Sequence, residues 1–203
     1  MFIVCADLEG IFTPEIWINF SEITGIEELR LTTRDISDYH VLMKRRLAIL
    51  EENNLKLDDI QAVIRKMTPI EGALDFLNWL RSRVEVIIVS DTYVEFAGPL
   101  MEKLDRPTLF CNTLSVNGDG AITGYSLRQE DGKKKVALAL KSLNYQVIAI
   151  GDSYNDITML QAADHAVLYR PPDNVKAEYD GFPVAYNYAE LKERLLDIMN
   201  DRG

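Results

Sequence analysis

Two carboxylates one residue apart, Asp7 and Glu9, close an apolar run in the segment Asp7-Leu8-Glu9-Gly10. One carboxylate can attack phosphorus while the other delivers or removes the proton on the ester oxygen. On an extended backbone the pair would point to opposite faces, so the chain must bend here, and Gly10 eases the bend. Taken alone, the pair is better explained as an acidic strand-to-loop junction, which is common in α/β proteins. A second group, Ser90-Asp91-Thr92, follows the apolar run 84–89. Its hydroxyl and flanking N–H groups suit a non-bridging phosphate oxygen, and they would also serve as the N-cap of a helix over 93–104. The third group, Gly151-Asp152-Ser153-Tyr154-Asn155-Asp156, ends the run 146–150 and adds two more carboxylates. Hard oxygen ligands so grouped suit Mg²⁺, which keeps part of its water shell and bridges to phosphate. A helix cap needs nothing as elaborate as GDSxNDxxM, which makes this the most specific signal in the chain. Finally, Lys133-Lys134-Lys135 reads either as a solvated charge run or as the source of a cation. Several carboxylates and a phosphate dianion in one cleft require Mg²⁺ and at least one such cation to offset them.

The elements that must position these groups follow from hydrophobic periodicity. Runs 2–6, 84–89, 108–111 and 147–150 are continuously apolar and are separated by segments of helical period. That alternation predicts an α/β fold with a doubly wound, buried parallel sheet. Ligands in such sheets collect beyond the carboxyl ends of the strands, where the three motifs fall. A fifth short run, 166–169, precedes Pro171 and Pro172. Asn117-Gly118-Asp119-Gly120 is a hairpin turn between 113–116 and 121–125, expected at the sheet edge. Residues 12–70 lack a buried-strand pattern and read as a helical cap inserted after the first strand, which leaves 1–11 and 71–203 as the core. In the second helix of that insert Ile36, Tyr39, Met43, Leu47 and Leu50 form one apolar stripe, with Arg46 beside it. Such a cation either snorkels to water or faces an anion in a polar cleft.

The 203 residues, 47% hydrophobic and 27% charged, fit one domain with room for a modest insert. A net charge of −10 repels polyanions and argues against nucleic acid as a partner. Cys5 and Cys111 show neither CxxC nor metal-finger spacing, so a reducing cytoplasm is the expected setting. No apolar run has the length to cross a bilayer, and no membrane association is expected. Surface composition leaves the oligomeric state open, a homodimer included.

Taken in order, Asp7/Glu9, Ser90, Lys133 and 151–156 resemble the four motifs of the haloacid dehalogenase superfamily, over nearly the whole chain. The insert is similar to the small cap of the phosphoserine phosphatase branch. The likeness extends to Pro14-Glu15-Ile16-Trp17-Ile18, Thr33-Arg34-Asp35-Ile36 and Val41-Leu42-Met43-Lys44, segments of branch members that also transfer the phosphoryl group of phosphoserine to homoserine. The resemblance implies a Mg²⁺-dependent phosphoserine phosphatase in which Asp7 becomes an aspartyl phosphate and Glu9 is the general acid/base. It implies a metal held by Asp7, Glu9 and Asp152, with residue 9 contributing through side chain or backbone. Ser90 and Lys133 would bind phosphate, with Lys134 the fallback, and Asp91 is counted among the substrate-binding residues. Glu15 would receive the substrate ammonium and Arg46 its carboxylate, while Asn155 and Asp156 support the phosphate and the metal. Two positions depart from the family pattern: Glu9 stands where Asp is usual, and Ile11 where a hydroxyl residue is usual. Misplacing an acid/base group by about 1 Å costs on the order of a hundredfold in rate. Either the cleft compensates or water is activated less well and another acceptor competes. The rival from another class, a phospho-accepting receiver module, needs no inserted cap and carries its acceptor aspartate on a later strand.

Overall fold

The computed structural model describes residues 1–33, 35, 36 and 38–200. Strand β1 (Phe2–Ala6) leads into helices α1 (Ile16–Thr24), α2 (Tyr39–Glu52) and α3 (Leu57–Lys66), with a 3-10 turn at Glu27–Arg30. Then come α4 (Ala73–Arg81), β2 (Glu85–Tyr93), α5 (Val94–Lys103), β3 (Thr108–Val116), β4 (Ile122–Ser126) and α6 (Gly132–Ser142). The chain closes with β5 (Gln146–Gly151), α7 (Ile157–Ala162), β6 (His165–Tyr169), α8 (Asp173–Glu178), β7 (Val184–Ala185) and α9 (Tyr188–Asn200). Among the described residues, no helix is long and apolar enough to cross a membrane.

The strands form one sheet in the order β4-β3-β2-β1-β5-β6-β7. All neighbours are parallel except β3 and β4, the expected edge hairpin. From β1 the chain winds outward through β2 and β3, then returns to the other side of β1 with β5, so strand order reverses between β1 and β5. A crevice opens at such a reversal, beyond the carboxyl ends of the two strands. Register completes the placement, since Ala6 lies opposite Ile150 and the Asp7 N–H donates to the Ile150 carbonyl at 3.0 Å. Alternation along these strands supplies both faces: Val4, Ala6, Ile148 and Ile150 enter one hydrophobic cluster, Ile3, Cys5, Val147 and Ala149 the other. A slip of one residue would draw the Asp7 carboxylate into the apolar ladder at a heavy desolvation cost.

Three details differ from the sequence reading. β2 does not stop at residue 89 but continues through Ser90-Asp91-Thr92, because its pairing with β3 shifts register between Val89 and Tyr93. Val89 faces Phe110 and Tyr93 faces Asn112, so four steps on β2 match two on β3, and the Ser90 segment bulges outward as strands often do beside a site. The expected side-chain N-cap is therefore absent, and Tyr93, which precedes α5, makes no such bond. Runs 108–111 and 113–116 are one strand, β3, and the amino-terminal part of β2 is exposed at Glu85. Helix α2 starts at Tyr39 because the Asp38 carboxylate accepts from the N–H groups of His40 and Val41 at 2.9 and 3.1 Å, which leaves Ile36 outside the helical stripe. Its buried face is Leu42, Met43, Arg46, Ile49 and Leu50.

Helices α1 to α3 share the cluster on one sheet face rather than building a core of their own. Phe12 stacks on Phe76 at 6.1 Å and Trp17 meets Phe96 edge-on at 5.8 Å. Polar ties add to this: the Leu57 N–H donates to the Gly120 carbonyl at 3.0 Å and the Gln61 side chain to the Glu95 carbonyl at 2.8 Å. Helix α3 is thereby tied to the β3–β4 turn and to α5.

Candidate active site

Asp7, Asp152 and Asp156 are all buried, with carboxylate oxygens within 4.8 Å of one another. Two glycines make this approach possible. Gly10 has φ +79°, and a Cβ there would lie 2.6 Å from the Asp152 carboxylate. At Gly151 a Cβ would collide with the Asp156 side chain. Asp156 organises the turn between them: one oxygen accepts from the N–H groups of Asp152 and Ser153 at 2.8 and 3.2 Å, the other from Lys133 Nζ at 2.6 Å.

Lys133, in the first turn of α6, is 3% exposed and reaches Asp7 at 3.0 Å and Asp91 at 3.6 Å as well. Burial works against its charge, but Asp156, Asp7 and Asp91 outweigh it and push its pKa well above the ordinary lysine value. Lys134 points outward to Asp131, so Lys133 is the lysine of the site. Burial also lifts the Asp7 carboxyl well above the usual carboxylate range, opposed by Lys133 and reinforced by Asp156, Asp152 and Asp91. Asp91 extends the network, accepting from Asn155 Nδ2 at 3.0 Å, while Ser153 Oγ donates to Asn155 Oδ1 at 2.6 Å. Three carboxylates thus surround a single ammonium, with Asp152 close beside Asp7 and Asp156. The all-oxygen donor set and the surplus of negative charge fit a hard divalent cation.

Above this floor a cleft extends toward α1 and α2, lined by Glu9, Glu15, Trp17, Arg46, Ser90 and Tyr39 among others. Glu9 accepts from the Ile16 N–H at 2.8 Å, at the positive end of α1. Burial, and then the neighbouring Glu15, push its pKa up to about 8, although the Ile16 bond and Arg46 act in the other direction. Arg46 lies with its guanidinium 4.4 Å from the centre of the Trp17 ring and donates to the Leu31 carbonyl at 2.8 Å. Burial lowers its pKa to about 10, so it remains cationic at neutral pH.

The sequence profile of the haloacid dehalogenase-like hydrolase family matches residues 16–161. The chain belongs to the haloacid dehalogenase-like hydrolases. Among its relatives, a phosphoserine phosphatase of Pseudomonas syringae pv. tomato is 54% identical over 198 residues, 98% of this chain and 84% of that protein. Phosphoserine phosphatase ThrH of Pseudomonas aeruginosa is 53% identical over 196 residues, covering 97% and 96% of the two chains. A solved structure described as a phospho-aspartyl intermediate analogue of phosphoserine phosphatase superposes with a TM-score of 0.73 over 96% of this chain and 97% of that one, at 22% identity.

Within this hydrolase the predicted residues divide into two groups. Asp7, Asp91, Lys133, Asp152, Asn155 and Asp156 meet at the sheet edge beside Ser90, whereas Glu9, Glu15 and Arg46 meet on the helical side of the cleft. Of the two routes left open for residue 9, the side chain turns away from the Asp7–Asp152–Asp156 carboxylates and accepts from the Ile16 N–H instead. The bend at Gly10 and the extra methylene carry it to the amino end of α1. Nor does Arg46 snorkel; it is 6% exposed and faces the cleft. Arg34, quoted in one of the shared segments, lies outside the described residues. The sequence reading missed Trp17 as the platform for Arg46 and took Tyr39 for core. Tyr39 Oη instead meets Tyr93 Oη at 2.5 Å and donates to the Asp91 carbonyl at 3.1 Å. Helical spacing marks a buried face but does not separate core aromatics from those that line a cleft.

Proposed function

We propose that this hydrolase is a Mg²⁺-dependent phosphoserine phosphatase that works through a phosphoryl group on Asp7 and also transfers that group to homoserine. The observation that carries the reading is the pairing of a buried Asp7–Lys133–Asp156 network with a separate Glu9–Glu15–Arg46 wall, in a chain over half identical to proteins named phosphoserine phosphatase along nearly its full length. The first set suits a phosphoryl group and the second an amino acid. An Asp7 carboxylate oxygen attacks phosphorus in line as the bond to the serine oxygen breaks, and protonated Glu9 gives its proton to that oxygen. Glu9, now a carboxylate, takes the proton of water or of the homoserine hydroxyl as that oxygen attacks phosphorus and Asp7 departs. Lys133 and Ser90 stabilise the equatorial oxygens, and Asp156 fixes Lys133 in place. Asp7, Asp152 and the backbone of the residue 9 loop would hold Mg²⁺, which would supply charge neutralisation for the phosphoryl group.

In this reading Glu15 takes the substrate ammonium and Arg46 the carboxylate, Asn155 holds Asp91, and residues 12–70 act as a cap that excludes water. The ionised form of Glu9 sits beside Glu15, which favours a polar acceptor that fills the cleft over loosely held water, and this supports transfer to homoserine. Buried free thiols at Cys5 and Cys111 fit the reducing cytoplasm. The test is phosphate release from phosphoserine, phosphothreonine and sugar phosphates, with and without EDTA, followed by product analysis with homoserine present. The expected result is EDTA-sensitive release with phosphoserine preferred, and phosphohomoserine formed when homoserine is added. Activity indifferent to EDTA removes the metal, a sugar phosphate preference removes the substrate, and inorganic phosphate as the sole phosphorylated product removes transfer.

A further inference from the structure

Among the described residues three buried side-chain polar atoms have no hydrogen-bond partner: Arg46 Nε, Thr92 Oγ1 and Tyr169 Oη. Tyr169 lies away from the cleft, stacked on Tyr188, whereas Arg46 and Thr92 both line it. An orphaned hydroxyl in a protein interior is unfavourable unless something outside the chain satisfies it. Arg46 already has a role as a cation, but no role has been given to Thr92.

Its position narrows the choice of ligand. Thr92 is 5% exposed and stands in the β2 bulge two residues beyond Ser90. Its own N–H donates to Ser90 Oγ at 3.2 Å, which uses an acceptor site of that hydroxyl and leaves the Ser90 proton to be donated. The bulge therefore presents two adjacent hydroxyls at the strand end that carries the phosphoryl-binding side of the cleft, on the wall that also contains Asp7. A valine would occupy the same volume, suit a strand as well and leave no polar atom unsatisfied.

We propose that Thr92 Oγ1 is a phosphoryl-binding group, which donates to a non-bridging oxygen of the substrate phosphate alongside Ser90. The inference rests on the phosphatase reading above and adds a residue to it. It is tested with Thr92→Val and Thr92→Ser in magnesium buffer, by calorimetric titration with inorganic phosphate and separately with L-serine, together with the melting temperature of the ligand-free protein.

Loss of one hydrogen bond to a charged oxygen predicts phosphate binding weakened about tenfold or more in Thr92→Val and largely restored in Thr92→Ser. Serine binding should be unchanged, and the ligand-free melting temperature equal to or above that of the parent protein. A hydroxyl with a purely structural role gives the reverse, a lower melting temperature with phosphate affinity intact, and overturns the proposal. So does weakened serine binding with phosphate binding unaffected, which assigns the hydroxyl to the amino acid end. Because the parent protein is assayed for phosphoserine hydrolysis alongside, an inactive parent refutes the underlying reading, whereas an active parent with Thr92→Val indistinguishable from it refutes this inference alone.

Discussion

The floor of the cleft and its helical wall hold charge by different means. On the floor, Lys133 is enclosed by Asp7, Asp91 and Asp156, with Asp7 carried at the end of β1, Asp91 by β2, Asp156 by the turn before α7 and Lys133 by the first turn of α6. On the wall, Arg46 is held by the face of Trp17 and a backbone carbonyl, with Nε left unpaired. Among the described residues Glu9 and Glu15 share that wall without an ion pair to a base, and burial beside Glu15 pushes the Glu9 pKa up to about 8. Ion pairs that hold one another in place are preorganised for one fixed chemistry, in the proposed function that of a phosphoryl group. The proposed function assigns substrate choice to the wall, where Arg46 Nε is left without a partner.

Variants that strike the floor and the wall should therefore fail differently. The largest effect is expected for Asp7→Asn, which removes the proposed nucleophile at nearly constant volume: turnover of every phosphate ester should fall on the order of 10⁴-fold or more, with the melting temperature little changed. Substantial remaining activity in purified protein would place the nucleophile elsewhere.

Next comes Glu9→Gln, the wall residue that the proposed mechanism brings to the reacting oxygen. Loss of a general acid/base costs about 10²–10⁴-fold with phosphoserine, and much less in the first half-reaction with an aryl phosphate, whose leaving group needs no proton. The pH dependence follows from the same residue. A carboxyl raised from 4.5 to about 8 is protonated at neutral pH, so kcat/KM for phosphoserine should decline above about pH 8, and Glu9→Gln should abolish that limb. For stability the sign is the reverse of a salt-bridged carboxylate. The folded state binds the extra proton between pH 4.5 and about 8, so this group's contribution declines as pH rises through that window. A kcat/KM profile flat to pH 10 would remove Glu9 as the acid.

The smallest effect belongs to the wall. Arg46→Ala should raise KM for phosphoserine about tenfold to a hundredfold, the worth of a charged hydrogen bond, and leave phosphate esters without a carboxylate nearly unaffected. Equal losses on both kinds of substrate would erase the distinction between floor and wall.

Much of this was legible in the sequence where chemistry and strand ends coincide. Continuous apolar runs ending in Asp7 and Gly151-Asp152 give both the parallel sheet and the meeting point of the motifs, because strand register leaves no freedom in where those residues emerge. The bulge at Ser90-Asp91-Thr92 was not legible: it depends on how β2 pairs with β3, and nothing local records a register shift. The direction of Glu9 was hidden for a similar reason, since the bend at Gly10 and the amino end of α1 act together across seven residues. Two-residue β7 is too short to leave a periodic signal. Lys133 could be chosen over Lys134 on spacing to the following helix, but its complete enclosure by carboxylates is a tertiary fact.

The most direct test of the central claim is to trap the phosphorylated protein. After brief reaction with phosphoserine and acid quench, borohydride reduction converts an acyl phosphate to the alcohol, and peptide mass mapping locates the modified side chain. The reading predicts a single reduced carboxyl at Asp7, dependent on phosphoserine and missing in Asp7→Asn. Reduction at any other carboxylate, or turnover without a trappable acyl phosphate, would contradict it.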